Sequence, residues 1–252
     1  MQTGIQLSSF KPLMKTEQAM RETFLRTAAL GCTLVQLQWV GPSIPTETIA
    51  QALEEAGLVS ISVQDFFDTV RADAAYYLRL NEQTGAKWLC VSRIPERMKT
   101  PEGLEAMVHE LRTLSETAQR QGQKLCFHPV ASDYQAIGGK CPVDELLVRL
   151  PDMPLCLDLF HLARAGYILP AWMESHRGRI EMVHFKDEKN GLLVPAGQGT
   201  VPYGGAVKAC LQAHVAYGFV EQESWDRDPF VCLGEALGWL RAELSAAQTE
   251  RP

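Results

Sequence analysis

Residues 153–187, MPLCLDLFHLARAGYILPAWMESHRGRIEMVHFKD, read as a strand, a helical stretch and a second strand. MPLCLD and IEMVHF are short, almost unbroken apolar runs, the pattern of strands covered on both faces in a parallel sheet. Each stops on a residue that can bind a metal, Asp158 in the first and His184 in the second. In a barrel of parallel strands the carboxyl ends of all strands converge on one rim, so residues at these two stops would become neighbours.

Working outward, the same alternation of apolar run and amphipathic stretch recurs eight times. The other strands start at Gly4 (GIQLSS), Thr33 (TLVQLQ), Leu58 (LVSISV), Ala86 (AKWLCVS), Lys124 (KLCFHP) and Tyr217 (YGFVEQ). Helices fit over Thr16–Leu30, Thr46–Ala56, Asp68–Thr84, Pro101–Gln121, Pro142–Leu150, Leu169–Ser175, Gly204–Ala216 and Pro229–Leu244. Gly31, Gly57, Gly85 and Gly122 fall just past helix ends and are followed by a new apolar run, the short joint that a barrel repeats. A doubly wound open sheet shows the same alternation. Eight units with no G-x-G-x-x-G after the first strand favour a single (β/α)8 TIM barrel over residues 1–245, with 246–252 as a tail. The longest irregular stretch, 186–205, is rich in Gly and Pro and reads as a loop over the active rim.

The chain has 252 residues, 46% of them hydrophobic, enough for one large core of the size such a barrel takes, about 250 residues. A net charge of −6 without a basic run argues against nucleic acid as a partner. Seven cysteines form no C-x-x-C pair, and Cys90, Cys126 and Cys156 lie inside strand-like runs, as reduced core residues of a cytoplasmic protein would. The amino terminus does not read as a secretion signal, and no apolar run reaches the roughly 18 residues that a membrane helix needs.

The chemistry sits at strand ends. Asp158 is either a metal ligand or the N-cap of the helix that follows. His184 is either a ligand or a hydrogen-bonded core histidine, and Lys186, two residues on, can hold a substrate hydroxyl or an oxyanion with Asp187 to keep it in place. GFVEQE gives Glu221 and Glu223, which share a face of an extended strand; Glu221 is favoured as ligand because it directly follows the apolar run. His128 ends the fifth strand before Pro129 and can touch substrate, orient a ligand or be structural. Asp133, the only carboxylate between His128 and Asp144, is the one fourth ligand available on that unit, or else a turn residue.

These segments together resemble the xylose-isomerase-like TIM barrels of the sugar phosphate isomerase/epimerase superfamily, in particular its inosose dehydratase-like branch. GIQLSSFKPLM and LGCTLVQLQWVG are similar to that branch's first two strands, FHPVASDYQ to its fifth, LDLFHLARAG to its sixth, VHFKD to its His-x-Lys-Asp motif, AGQGTVPY to its Gly-x-Gly loop and FVEQESWDRDP to its closing segment. The resemblance places the family's metal set on Asp133, Asp158, His184 and Glu221, with Asp133 standing where the family has Glu and Gln36 where it usually has a second-strand Glu. It implies a divalent cation, Mn²⁺ first and Mg²⁺, Co²⁺ or Zn²⁺ as alternatives, and a small sugar-like carbonyl substrate. Glu221, His128 and Lys186 are then the catalytic candidates, and His128, His161, Lys186, Gln36 and Glu223 the substrate contacts. The implied activity is isomerisation or epimerisation through removal of the proton α to a carbonyl. Dehydration of a keto-inositol or related keto-sugar, and a relative that binds sugar without turning it over, are the alternatives. Association of copies through rim loops is compatible with such a barrel.

Overall fold

The fold was read from a computed structural model, which describes residues 1–249. Eight parallel strands close on themselves: β1 (Gln2–Gln6), β2 (Leu34–Leu37), β3 (Val59–Phe66), β4 (Trp88–Ser92), β5 (Lys124–His128), β6 (Leu155–Asp158), β7 (Ile180–Phe185) and, after an inserted hairpin of β8 (Asp187–Lys189) and β9 (Leu192–Val194), β10 (Tyr217–Val220). Pairing of β1 with both β2 and β10 closes the ring, so the molecule is a (β/α)8 barrel and not an open sheet.

The helices are α1 (Glu17–Ala29), α2 (Thr46–Ala56), α3 (Phe67–Ala72), α4 (Ala74–Thr84), α5 (Pro101–Arg120), α6 (Pro142–Arg149), α7 (Leu159–Arg164), α8 (Leu169–Ser175), α9 (Ala206–Gln212) and α10 (Pro229–Thr249). Gly57 and Gly85 close α2 and α4 in the left-handed region, where a side chain would be strained. The stretch 68–84 is two helices, not one. Asp73 breaks it with φ −146° and then caps α4 by accepting from the Tyr76 N–H. Helix α10 runs to Thr249, into the segment read as a tail; residues 250–252 lie outside the described residues.

Two apolar bodies carry the fold. One lies between strands and helices, with Phe10, Phe24, Phe67, Phe127 and Phe185 fully buried in it or beside it. The other is small and sulfur-rich: Cys90, Cys126, Cys156, Met182 and Phe219, each 0% exposed, with Trp88. These residues alternate along their strands with outward-facing ones, so they plug the barrel and form a floor under the rim.

Candidate active site at the carboxyl rim

Strand register decides which side chains meet. Ser92 pairs with His128, Asp158 with His184, and His184 with Phe219, so the inward faces of β4 to β7 present Ser92, His128, Asp158 and His184 side by side. Ligand atoms of His128, Asp158 and His184 all lie within 4.8 Å of one another, and all three residues are buried. Glu221, at the end of β10, joins them: its Oε2 is 3.4 Å from His184 Nδ1. His128 Nε2 is 3.1 Å from His184 Nδ1 and 3.9 Å from Asp158 Oδ2.

Asp158 divides its carboxylate. Oδ1 accepts from the His161 N–H at 3.0 Å and caps α7, while Oδ2 is buried without a hydrogen-bond partner. A buried carboxylate oxygen that accepts no hydrogen bond and lies among imidazoles fits a divalent cation. His128, Asp158 and His184 are the residues that would hold it.

Lys186 follows β7 and reaches across the rim. Its Nζ is 2.6 Å from Glu223 Oε1, 3.1 Å from Glu221 Oε2 and 3.8 Å from Asp158 Oδ2. Burial works against its charge, but Glu221, Asp158 and Glu223 outweigh burial and raise its pKa, so the ammonium is held. Burial likewise works against ionisation of Glu221, and Lys186 with His184 reverses it to keep the carboxylate well below its usual range. Ser8 donates its hydroxyl to Glu221 Oε1 at 2.5 Å. His128 is pushed down to about 3, first by burial and then by the neighbouring His184, which favours a neutral imidazole. His161, also lowered by burial, stands at the edge with its Nε2 3.7 Å from Asp158 Oδ2.

Three expectations change. Asp133 does not join the ligand group. Its Oδ2 accepts from the Val130 N–H at 2.9 Å, its Oδ1 is 3.5 Å from Lys99 Nζ, and it is fully buried in a short 3₁₀ turn (Ala131–Tyr134) that folds back on its own start. Gln36 does not face a substrate space. It is 0% exposed and lies behind His184, with Oε1 2.5 Å from His184 Nε2. Asp187 does not hold Lys186: it accepts from four backbone N–H groups, those of Glu188, Gly197, Gly199 and Val201, at 2.9–3.1 Å. The stretch expected to be irregular therefore starts with the β8–β9 hairpin and is then gathered around one carboxylate.

Composition did not single out Ser8, Ser92 or Cys156. Strand parity could have done so: Ser8 lies two residues beyond Gln6, Ser92 two beyond Cys90, and Cys156 two before Asp158.

Comparison with known proteins agrees with this architecture. Several solved structures superpose over almost the whole chain. A sugar phosphate isomerase/epimerase from Parabacteroides distasonis ATCC 8503 shares 15% identity with a TM-score of 0.80, covering 96% of this chain and 93% of that one. An L-ribulose 3-epimerase, at 15% identity and 0.79, covers 99% and 97%. The probable 3-DHS dehydratase AsbF of petrobactin synthesis from Bacillus anthracis, at 13% and 0.74, covers 96% and 99%. At these identities the likeness is one of fold. No curated protein sequence matches the chain at a significant level. The model of one family matches residues 15–243, which takes in every barrel strand except β1. By that match the chain belongs to the xylose isomerase-like TIM barrel family.

Proposed function

We propose that this protein is a divalent-metal-dependent isomerase or epimerase that acts on a small keto-sugar or polyol-derived carbonyl compound. The observation that carries the reading is the meeting of His128, Asp158 and His184 within 4.8 Å around an Asp158 oxygen that accepts no hydrogen bond, with Lys186 and Glu221 beside them. The names of the structural neighbours, which include epimerases and a dehydratase, support the same class of chemistry.

When bound, the cation supplies Lewis acidity that polarises a carbonyl oxygen and a neighbouring hydroxyl, which acidifies the proton between them. Glu221, ionised and fixed through Oε1 by the Ser8 hydroxyl, accepts that proton at Oε2. Lys186 Nζ donates to the oxygen that gains negative charge, and Glu223 keeps the ammonium in position. Return of the proton to the other carbon gives isomerisation; return to the other face gives epimerisation. The floor of Cys90, Cys126, Cys156, Met182 and Phe219 keeps water from reaching the site through the barrel.

The donor set also bears on the ion. Mn²⁺ follows from three carboxylates and one imidazole, the set that includes Asp133. His128, Asp158 and His184 offer two imidazoles and one carboxylate, a mixture that suits Zn²⁺ or Co²⁺ better.

The test is solvent exchange. Metal-loaded protein in D₂O, incubated with ketopentoses, ketohexoses, their phosphates and inososes, is expected to wash deuterium into the α position of at least one of them, seen by NMR. Glu221→Gln abolishes the exchange. Absence of exchange from every compound, with metal bound, overturns the proposal.

A further inference from the structure

We propose that a cavity beyond the ends of β2 and β3 is a subsite for a second sugar ring, so that the substrate is a disaccharide or similar glycoside whose other ring lies in the candidate active site. The inference rests on the functional reading above and deepens it by naming the substrate class.

The cavity has a volume of about 510 Å³, within the range of pockets that enclose small ligands, about 300–1,000 Å³. None of His128, Asp158, His184, Lys186 or Glu221 lines it. Its aromatic surface comes from Trp39, Tyr76 and Tyr77. Trp39 stands just beyond β2 with φ 56°, in the left-handed region that a bulky side chain seldom takes. Phe66 meets its indole edge-on at 5.5 Å and Lys11 Nζ lies over it at 4.1 Å. Strain of this kind persists where the surroundings impose it, and it clusters at ligand sites.

The polar edge names the ligand. Gln64 Nε2 donates to Gln38 Oε1 at 3.3 Å, while Gln64 itself is 3% exposed and its Oε1 has no partner. Asp65 accepts from the Phe66 N–H at Oδ1 and from the Tyr77 hydroxyl at Oδ2, both at 2.7 Å, which fixes the carboxylate and leaves each oxygen able to accept again. Asp73, Thr69 and Lys11 complete the edge. An anion here would use Lys11 but meet two carboxylates; an ammonium would use the carboxylates but meet Lys11. Hydroxyls donate and accept, so a ring bearing several of them is served by all these groups, and its C–H faces suit the aromatic surface. The unpaired Gln64 oxygen marks the place of one donated hydroxyl, since buried acceptors are seldom left without a partner.

Strand register relates this cavity to the metal-binding group. Gln36 and Ser62 are Cα partners on β2 and β3, and Gln38 and Gln64 lie two residues further along the same faces. Two residues of strand advance about 7 Å, which sets the Gln38–Gln64 pair one layer above Gln36, whose Oε1 is 2.5 Å from His184 Nε2. The polar end of the cavity is therefore its end on the barrel-axis side, where the second ring would be joined to the first.

The experiment uses the full chain freed of metal, with maltose, cellobiose, lactose, trehalose and sucrose as probes beside glucose and fructose. Binding is followed by the indole ¹H–¹⁵N signals, that of Trp39 being assigned by its loss in Trp39→Phe. At least one disaccharide is expected to shift the Trp39 signal and to bind about tenfold or more tightly than either monosaccharide. Gln64→Leu removes the unpaired acceptor and Tyr76→Ala part of the aromatic surface, and each is expected to weaken that disaccharide about tenfold. Tyr76 is half-buried, so its variant keeps the test open should Gln64→Leu fail to fold. No shift of Trp39 with any disaccharide, monosaccharides bound as tightly, or wild-type affinity in the folded variants would overturn the subsite. Deuterium exchange into carbonyl compounds by the metal-loaded protein reads the active site separately. A disaccharide that engages Trp39 without exchange from any compound supports the subsite and overturns the proposed function; exchange without engagement of Trp39 overturns the subsite alone.

Discussion

Asp158 could be read from the sequence as a helix cap or as a ligand, and its two oxygens separate the roles. One accepts the His161 N–H and the other accepts no hydrogen bond and lies beside the imidazoles. This predicts a split between two variants. Asp158→Asn keeps an oxygen for the cap and is expected to change stability by less than about 1 kcal/mol, whereas Asp158→Ala also loses the cap, at about 1 kcal/mol more. Both are expected to weaken metal binding by at least 100-fold, since each removes the charged donor; thermal unfolding and a chelator competition on the same samples check this. Lys186→Met is a third case, removing the ammonium proposed to donate to the developing oxyanion while filling similar space, and turnover is expected to fall by about 10²–10³-fold with metal content unchanged. The meeting of Asp158, His184 and Glu221 at one rim was legible because strand ends on an apolar run are visible in sequence. Asp133 was misleading for a physical reason: its 3₁₀ turn bends it back to the Val130 N–H and to Lys99, a residue from a different β/α unit, and spacing along the chain carries no sign of either contact.

At the scale of elements, the segment after β7 shows how one buried side chain organises a loop. Asp187 accepts from four backbone N–H groups, three of them between Gly197 and Val201, so the turn that covers this part of the rim is folded around its carboxylate. Glycine is required for the approach. A Cβ on Gly199 would lie 2.1 Å from Asp187 Oδ1, and one on Gly197 2.5 Å from the Trp239 ring. Gly199→Ala is therefore expected to push the loop off β7, and Asp187→Ala to strand donors that cost about 1–3 kcal/mol each when left buried and unpaired. Faster proteolysis within 190–205 and increased amide exchange at Gly197, Gly199 and Val201, with the barrel strands still protected, is the expected result; unchanged exchange would show that something other than Asp187 holds the turn. Gly and Pro content announced this loop in the sequence. Its hairpin did not announce itself, because three-residue strands are too short for any periodicity to register. The break between α3 and α4 was hidden for the opposite reason: Asp is tolerated in a helical pattern, and only its cap to Tyr76 shows that it ends one helix and starts another.

For the whole molecule, the proposed donors His128, Asp158 and His184 lie on β5, β6 and β7, neighbours in the closed ring, with Glu221 beside them after β10, so the site needs these strands paired. Eight apolar runs with glycine-closed helices made the barrel readable, since each unit repeats the same local choices; closure itself came from pairing across the chain ends, which no local window contains. An unfolded chain cannot bring His128, Asp158 and His184 together, so an ion that binds them binds the native state alone and stabilises it by mass action. At an ion concentration about 100 times the dissociation constant the gain is about 2.7 kcal/mol, and for a chain of this size each kcal/mol moves the midpoint by about 2–4 °C. Adding Zn²⁺ or Co²⁺ to chelator-treated protein is thus expected to raise the melting temperature by roughly 5–10 °C, with a smaller rise for Mg²⁺ at equal concentration because two of the donors are imidazoles. His128→Ala is the discriminating control. If His128 is a ligand in place of Asp133, the shift with Zn²⁺ shrinks in this variant and persists in Asp133→Asn; the reverse pattern would return Asp133 to the ligand group and imply that the 131–134 turn rearranges when the ion arrives.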